Sequence, residues 1–361
     1  MPYSKKKTVK EKSRRLLSLV KGRKRCLVFI QNNPDPDAIA AATALARLLK
    51  FRRRMSSTIT FDGIIGRAEN QAMVRQLKLT LVPIDQVNIE DYDLTALVDT
   101  QPNTGNNSFP TDRAPDIVID HHPLRDETKA AQFYDVKPNY GATSSILVEY
   151  LFVEKVPLTK SLAAALAYGI KTDTKDLGRD TSILDIDAFH YVYNKCDPRI
   201  LAEIEKEKVP QEYFAILSMA MRNATIYEDA IVAGLGDIEN PDMAGEIADL
   251  LVRLEHMRYA LCYGFLKDQA VVSLRGADEQ IDAGALIKKM IRKNAFLKER
   301  ATGGGHEMAA GAQIPYLESE NGKMKEKIEN ALRDSFLKLI GASKRASRRL
   351  VRKTDRISRR R

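Results

Sequence analysis

The amino-acid sequence predicts an α/β protein with an N-terminal domain built on a mainly parallel sheet flanked by helices and a smaller, mixed α/β domain behind it. Three observations carry this. Short apolar runs alternate with helical stretches through the first half of the chain, several of those runs stop at acidic or histidine residues, and a second series of strand and helix patterns starts near Ile226. With 361 residues and 44% hydrophobic content, the chain is long enough for two globular cores.

The first apolar run, Cys26 to Ile30, reads as a strand; a polar turn follows through Pro34 and Pro36, then an Ala- and Leu-rich helix to about Leu49. Ser57 to Phe61 reads as a strand and Ala68 to Leu77 as a helix, while Thr95 to Val98 and Ile117 to Ile119 are short buried strands ending in acids. Strands alternating with helices imply a parallel sheet whose ligands gather at the strand carboxyl ends. Gly141 to Phe152 and Ser161 to Ile170 are helical, the second Ala-rich enough to be packed on all sides. A charged helical connection leads to about Glu212. Beyond it, Ile226 to Ala233, Tyr259 to Phe265 and Ala270 to Leu274 are strand-like, and Met243 to Glu255 and Ala283 to Arg292 are helical. The expected boundaries are a basic tail at 1–25, a first domain at 26–195, a helical linker at 196–215, a second domain at 216–341 and a basic tail at 342–361.

The net charge of +10 is unevenly spread: residues 1–25 carry +10, residues 344–361 carry +9, and the body between 26 and 343 carries −9. An acidic body between basic ends separates cation chemistry from attraction to RNA or other polyanions, which the final arginines, Arg348 to Arg361, would hold without reading sequence. Three scattered cysteines make neither a disulfide framework nor a metal cluster, and the apolar stretch Leu16 to Val20 is too short for a signal peptide. With no stretch approaching a membrane span, a cytoplasmic location is expected.

Chemistry concentrates where the predicted strands end. Asp35 and Asp37 lie in a turn stiffened by Pro34 and Pro36, Asp99 follows Leu97-Val98, and Asp120-His121-His122 follows Val118-Ile119. Two of the chain's five histidines are thus adjacent and directly after an acid. Asp173 adds a further oxygen ligand after an apolar helix, beside the flexible Gly169. Each acid alone is equally a helix cap or turn residue; together, carboxylates and imidazoles without cysteine suit divalent ions such as Mn²⁺ or Mg²⁺, and a pair of ions would activate water and neutralise phosphate oxygens.

In this order, Asp-x-Asp, a strand-end Asp, Asp-His-His and then Gly-Ile-x-Thr-Asp-Thr, the chain resembles the DHH phosphoesterase family over about residues 26 to 175. Gly303-Gly304-Gly305-His306 with Ala309-Ala310-Gly311, following Ser273-Leu274-Arg275, is similar to the glycine-rich signature of the DHHA1 domain. The resemblance implies that Asp35 binds one metal and Asp37 and His121 the other, with Asp99 bridging and Asp173 completing the second site. It places His122 at the phosphoryl group, groups Asp99 and Asp120 with it in catalysis, and assigns Arg275, Gly303, Gly304, Gly305 and His306 to the substrate. Two Mn²⁺ ions are the expected cofactor, with Mg²⁺ or Co²⁺ as alternatives. Members usually carry a metal-binding His four residues before the first Asp, and here that position is Gln31, so either its weaker amide oxygen or a water takes the place.

Within the family, this arrangement is similar to NrnA-like enzymes, which implies hydrolysis of short oligoribonucleotides or of pAp. A cyclic-di-nucleotide phosphodiesterase, a nucleotide- or RNA-binding protein weakened by Gln31, and a hydrolase of pyrophosphate or polyphosphate are the other readings. A homodimer is the assembly the resemblance suggests.

Overall fold

The computed structural model describes residues 7–178, 180–278, 280–305, 308–317, 321–343, 345 and 347–351. It forms two compact units that divide after Lys208. The first contains α1 (Lys7–Leu19), β1 (Arg25–Phe29), α2 (Pro36–Arg53), β2 (Ser56–Phe61), α3 (Ala68–Leu77), β3 (Leu81–Pro83), β4 (Leu94–Val98), β5 (Ile117–Asp120), β6 (Phe133–Val136), α4 (Thr143–Val153), α5 (Lys160–Asp173), α6 (Ile183–Tyr193) and α7 (Pro198–Glu205).

The six strands form one sheet in the order β3-β2-β1-β4-β5-β6, and every pairing is parallel. The chain therefore leaves β1 in one direction and later resumes from β1's other neighbour, β4, which creates a switch point where ligands bind in open α/β sheets. Period-two alternation divides β1 between two cores: Cys26, Val28 and Ile30 face the helices, whereas Leu27 and Phe29 join Leu97, Val118 and Phe109 on the opposite face. That second face is closed by loops and short 3₁₀ turns around Ile84 and Ile89.

Small side chains bring the helices close together. Ala38, Ala40, Ala41, Ala42 and Ala44 of α2 and Ala163, Ala164, Ala165 and Ala167 of α5 are all fully buried. Asp35 caps α2, Pro36 occupies its first turn, and Arg54 ends it in the left-handed region at φ 55°.

Residues 7–19, read from the sequence as part of a basic tail, form a helix. Val9, Leu16 and Leu17, with Ser13, make a buried stripe at helical period, so the lysines and arginines occupy only the other faces. Lys12 pairs with the buried Asp135 of β6, and the Ser13 hydroxyl donates to Glu154 at 2.5 Å, fixing α1 against the domain.

The second unit contains α8 (Gln211–Asn223), β7 (Thr225–Tyr227), β8 (Ala230–Asp237), α9 (Asp242–Leu251), β9 (Tyr259–Phe265), β10 (Gln269–Gly276), α10 (Ala283–Lys293), α11 (Ala295–Lys298), β11 (Thr302–Gly305), β12 (Ala309–Pro315), α12 (Asn321–Ile340) and β13 (Ser347–Arg349). Its sheet runs β11-β12-β10-β9-β8-β7-β13 and is mixed, with β8 and β9 parallel and the other pairs antiparallel. Alternate residues of β9 feed two cores, Leu261, Tyr263 and Phe265 on the face that holds α12 and Ala260 and Cys262 on the face that holds α9. β13 lies within the stretch read as the C-terminal tail; its pairing with β7 makes it an edge strand. No described helix is long and apolar enough to cross a membrane.

Candidate functional site

The strand-end acids and histidines of the first unit converge at the switch point between β1 and β4. Asp35 and Asp37 follow β1 at the start of α2, Asp99 follows β4, and Asp120 is the last residue of β5. Ligand atoms of Asp37, His121 and Asp173 lie within 4.8 Å of one another, as do those of Asp99, Asp120, His121 and His122, so His121 belongs to both groups.

Asp37 is buried, and its carboxylate accepts the first backbone N–H groups of α4, from Thr143 at 2.6 Å and Ser144 at 2.9 Å. Two donors at a helix start suit an anion, yet burial first, and Asp35 after it, still raise the Asp37 carboxyl above its ordinary range. Asp99 is 2% exposed, accepts from the Thr143 hydroxyl at 2.8 Å and sits in the left-handed region at φ 61°. Burial, followed by the charges of Asp37, Asp35, Asp173 and Asp120, drives its carboxyl well above the usual value. Asp35 uses one carboxylate oxygen to cap α2, accepting from the Ala38 N–H at 2.9 Å, and lies outside both ligand groups while adding its charge to them.

Asp120 behaves oppositely. Burial would raise its carboxyl, but a hydrogen bond and charge from His122, the charge of His121 and a hydrogen bond from Gln101 outweigh this and hold it low. Its oxygens are occupied: Oδ1 faces the His121 N–H and His122 Nδ1, both at 2.8 Å, and Oδ2 accepts from Gln101 Nε2 at 2.7 Å. A carboxylate can only accept, so His122 carries a proton on Nδ1, and whenever its ring is neutral Nε2 is the acceptor.

His121 shows why the cluster fits a cation. Its Nδ1 lies 3.1 Å from the Tyr140 carbonyl oxygen, which also can only accept, so the hydrogen is assigned to Nδ1. Nε2 then lies 3.1 Å from Asp173 Oδ2 and 3.7 Å from Asp99 Oδ1, facing two carboxylates. Positive charge is favourable there, whether a proton on Nε2 or a cation held between the groups. Asp173 repeats the point: it is the last residue of α5, where the helix dipole disfavours an anion. The donor set, oxygens and imidazole without sulfur, fits a hard or borderline divalent ion.

Gln101, which the sequence did not single out, holds this apparatus together. It is 1% exposed and makes four side-chain hydrogen bonds: Nε2 donates to Asp120 and to the Pro123 carbonyl, while Oε1 accepts from the Arg125 N–H and the Thr128 hydroxyl. The signal available in the sequence was its place two residues after a strand-end Asp. Gly169 is not a flexible neighbour of Asp173. It lies buried inside α5, where an added Cβ would stand 3.1 Å from the Asp37 Cα and 3.2 Å from the Pro36 carbonyl oxygen, so its missing side chain lets α5 approach α2. Gln31 lies just beyond β1, half-buried.

In the second unit, Arg275 is only 14% exposed at its side chain; Nε donates to Asp249 at 2.6 Å and Nη1 to the Ser273 hydroxyl at 2.7 Å. Gly303, Gly304 and Gly305 form β11 beside β12. Gly305, at φ 155°, leaves only 2.3 Å between an added Cβ and the Ala309 carbonyl oxygen, so close strand approach requires glycine there. His306 lies outside the described residues.

An all-parallel sheet with a carboxylate and imidazole cluster at its switch point, joined to a mixed-sheet unit, defines an α/β protein with a candidate divalent-cation site. Residues 25–170 match the DHH family N-terminal domain and residues 228–334 match the DHHA1 domain. An uncharacterized protein of Methanocaldococcus jannaschii is 34% identical over 343 residues, covering 90% of this chain and 68% of that protein. The chain belongs to the DHH family. Proteins of Listeria monocytogenes named probable manganese-dependent inorganic pyrophosphatase are 26% identical over 149 residues, 41% of this chain and 47% of theirs. The crystal structure of an exopolyphosphatase-related protein from Bacteroides fragilis has the same fold, with a TM-score of 0.68 at 15% identity over 92% of this chain and 98% of that one.

Proposed function

We propose that this protein is a divalent-metal-dependent phosphoesterase that hydrolyses small nucleotides, short oligoribonucleotides or pAp in the manner of NrnA-like enzymes. The observation that carries the hydrolase reading is the convergence of buried Asp37 and Asp99 with Asp173 around His121. The manganese named for the pyrophosphatase relatives supports Mn²⁺ as the ion.

When bound, divalent ions at such a site polarise phosphoryl oxygens and lower the pKa of water. Asp37, Asp99, His121 and Asp173 would hold them. Asp120 fixes the His122 ring through Nδ1, so that Nε2 can accept or return a proton at a phosphoryl or leaving oxygen. Gln101 and the start of α4 keep the anions oriented without taking part in the chemistry. The DHHA1 match favours a nucleotide over inorganic pyrophosphate, because the resemblance ties that domain to nucleotide handling.

The test is release of phosphate and mononucleotide from pAp, a two-nucleotide RNA, cyclic-di-AMP and pyrophosphate, each with Mn²⁺, beside Asp99→Ala. Metal-dependent turnover of pAp or the RNA, lost in the variant, supports the reading; turnover of pyrophosphate alone would replace it. Gln31 favours a second reading, a nucleotide-binding protein with a weakened metal site. Binding without turnover that Gln31→His converts to hydrolysis would establish it.

A further inference from the structure

At the end of the first unit remote from this site, α1 and the C-terminal ends of α2 and α4 enclose a groove of about 610 Å³. Lys10, Arg14, Lys21, Arg52, Arg53 and Lys155 line it, against the single carboxylate of Glu154. Because α2 runs from Asp35 and Asp37 to Arg53, 18 residues, the groove lies about 27 Å from the acidic cluster along that helix. Cations are expected at helix C-termini, which accounts for Arg52 and Arg53. It does not account for Lys10 and Arg14, which sit inside α1.

Two of these six cations are engaged by the fold. Arg52 pairs with Glu154 at 2.9 Å, and the Arg53 Nε donates to the Leu17 carbonyl at 2.8 Å, which fixes its guanidinium in place. Among the described residues Lys10, Arg14, Lys21 and Lys155 have no carboxylate within ion-pair distance, although residues 26–343 carry a charge of −9. A concave run of like charge, held open against that background, suits a polyanion.

We propose that this groove is a docking surface for the phosphate backbone of a nucleic-acid strand. Guanidinium and ammonium groups spaced along a trough match successive phosphates. No aromatic side chain lines the groove, so bases are not stacked and recognition is independent of sequence. A membrane surface fits less well, because the apolar lining residues, Leu17 and Val153, are buried and half-buried and none projects for insertion.

The experiment measures binding of a labelled twenty-nucleotide poly(U), and its DNA counterpart, to the full chain by fluorescence anisotropy across a salt series. EDTA is present so that nothing is hydrolysed. The triple substitution Lys10→Gln, Arg14→Gln, Lys155→Gln is expected to weaken binding about tenfold or more at low salt and to reduce the slope of log K against log salt by about 2, roughly 0.7 per lost phosphate contact. Turnover of a small substrate should stay unchanged. Equal binding by the triple variant overturns the proposal, as does a loss seen with phosphatidylserine vesicles but not with either strand. Should the triple variant fold poorly, acetylation of the native chain decides: bound strand should shield Lys10, Lys21 and Lys155, and undiminished labelling overturns the proposal.

Discussion

Asp99 and Asp120 end neighbouring strands, yet their surroundings set opposite protonation preferences. Asp120 is surrounded by donors and stays an anion; Asp99, ringed by other carboxylates, holds its proton far more readily. The sign of the linkage follows. A carboxyl raised above its unfolded value stabilises the fold below that value, and the stabilisation is lost as pH rises through the folded pKa. Asp99 and Asp37 should therefore each contribute stability to the metal-free protein that is lost as pH rises above the ordinary carboxyl value of 3.8, and in Asp99→Asn the melting temperature should lose that part of its fall with pH. A divalent ion would displace these protons. Calorimetric titration with Mn²⁺ in two buffers of different ionisation enthalpy should register proton release; identical heats would refute it. Gln101→Leu should lower kcat about 10- to 100-fold with a smaller change in KM, because Asp120 and hence His122 lose their anchor. If both constants stay within twofold, Gln101 positions nothing that matters to the reaction.

α5 carries Asp173 to the site only because it lies so close to α2. In Gly169→Ala the new methyl would press on the Asp37 Cα and the Pro36 carbonyl, so one helix must yield. The expected cost is about 1 to 3 kcal/mol of stability, together with weaker Mn²⁺ binding. A variant that melts lower but binds Mn²⁺ as before would show that α5 can shift without moving Asp173. At this scale the sequence was readable in proportion to how local the signal was. Strand ends and the start of α2 advertise themselves, since an apolar run stops and acids or histidines follow within a few residues. α1 escaped because its cations mask a stripe of only four buried positions. Gln101 and the Tyr140 carbonyl escaped because each acts on residues 19 positions away, and only the fold brings them together.

Across the whole molecule, two units have separate cores, and among the described residues the metal-ligand candidates all belong to the first. Ligand binding stabilises what it binds. Hydrogen exchange with and without Mn²⁺ should accordingly slow around residues 33–37, 97–101, 119–123 and 169–173, and leave residues 209–343 nearly unaffected; slowing confined to the second unit would move the metal there. Fold class was legible because alternation of strands and helices extends over the whole chain, whereas the edges of the second sheet were not. β11 is nearly all glycine and β13 is nearly all cation, so neither has the apolar alternation that marks a strand. β13 pairs with β7, and the Arg349 guanidinium donates to the Asn223 carbonyl at 3.0 Å. A row of arginine and serine at the end of a sheet repels another copy's strand where a bare edge would template it. Trimming the chain at 343 to remove positive charge would thus uncover β7, and the shortened protein should aggregate sooner on concentration than the full-length one.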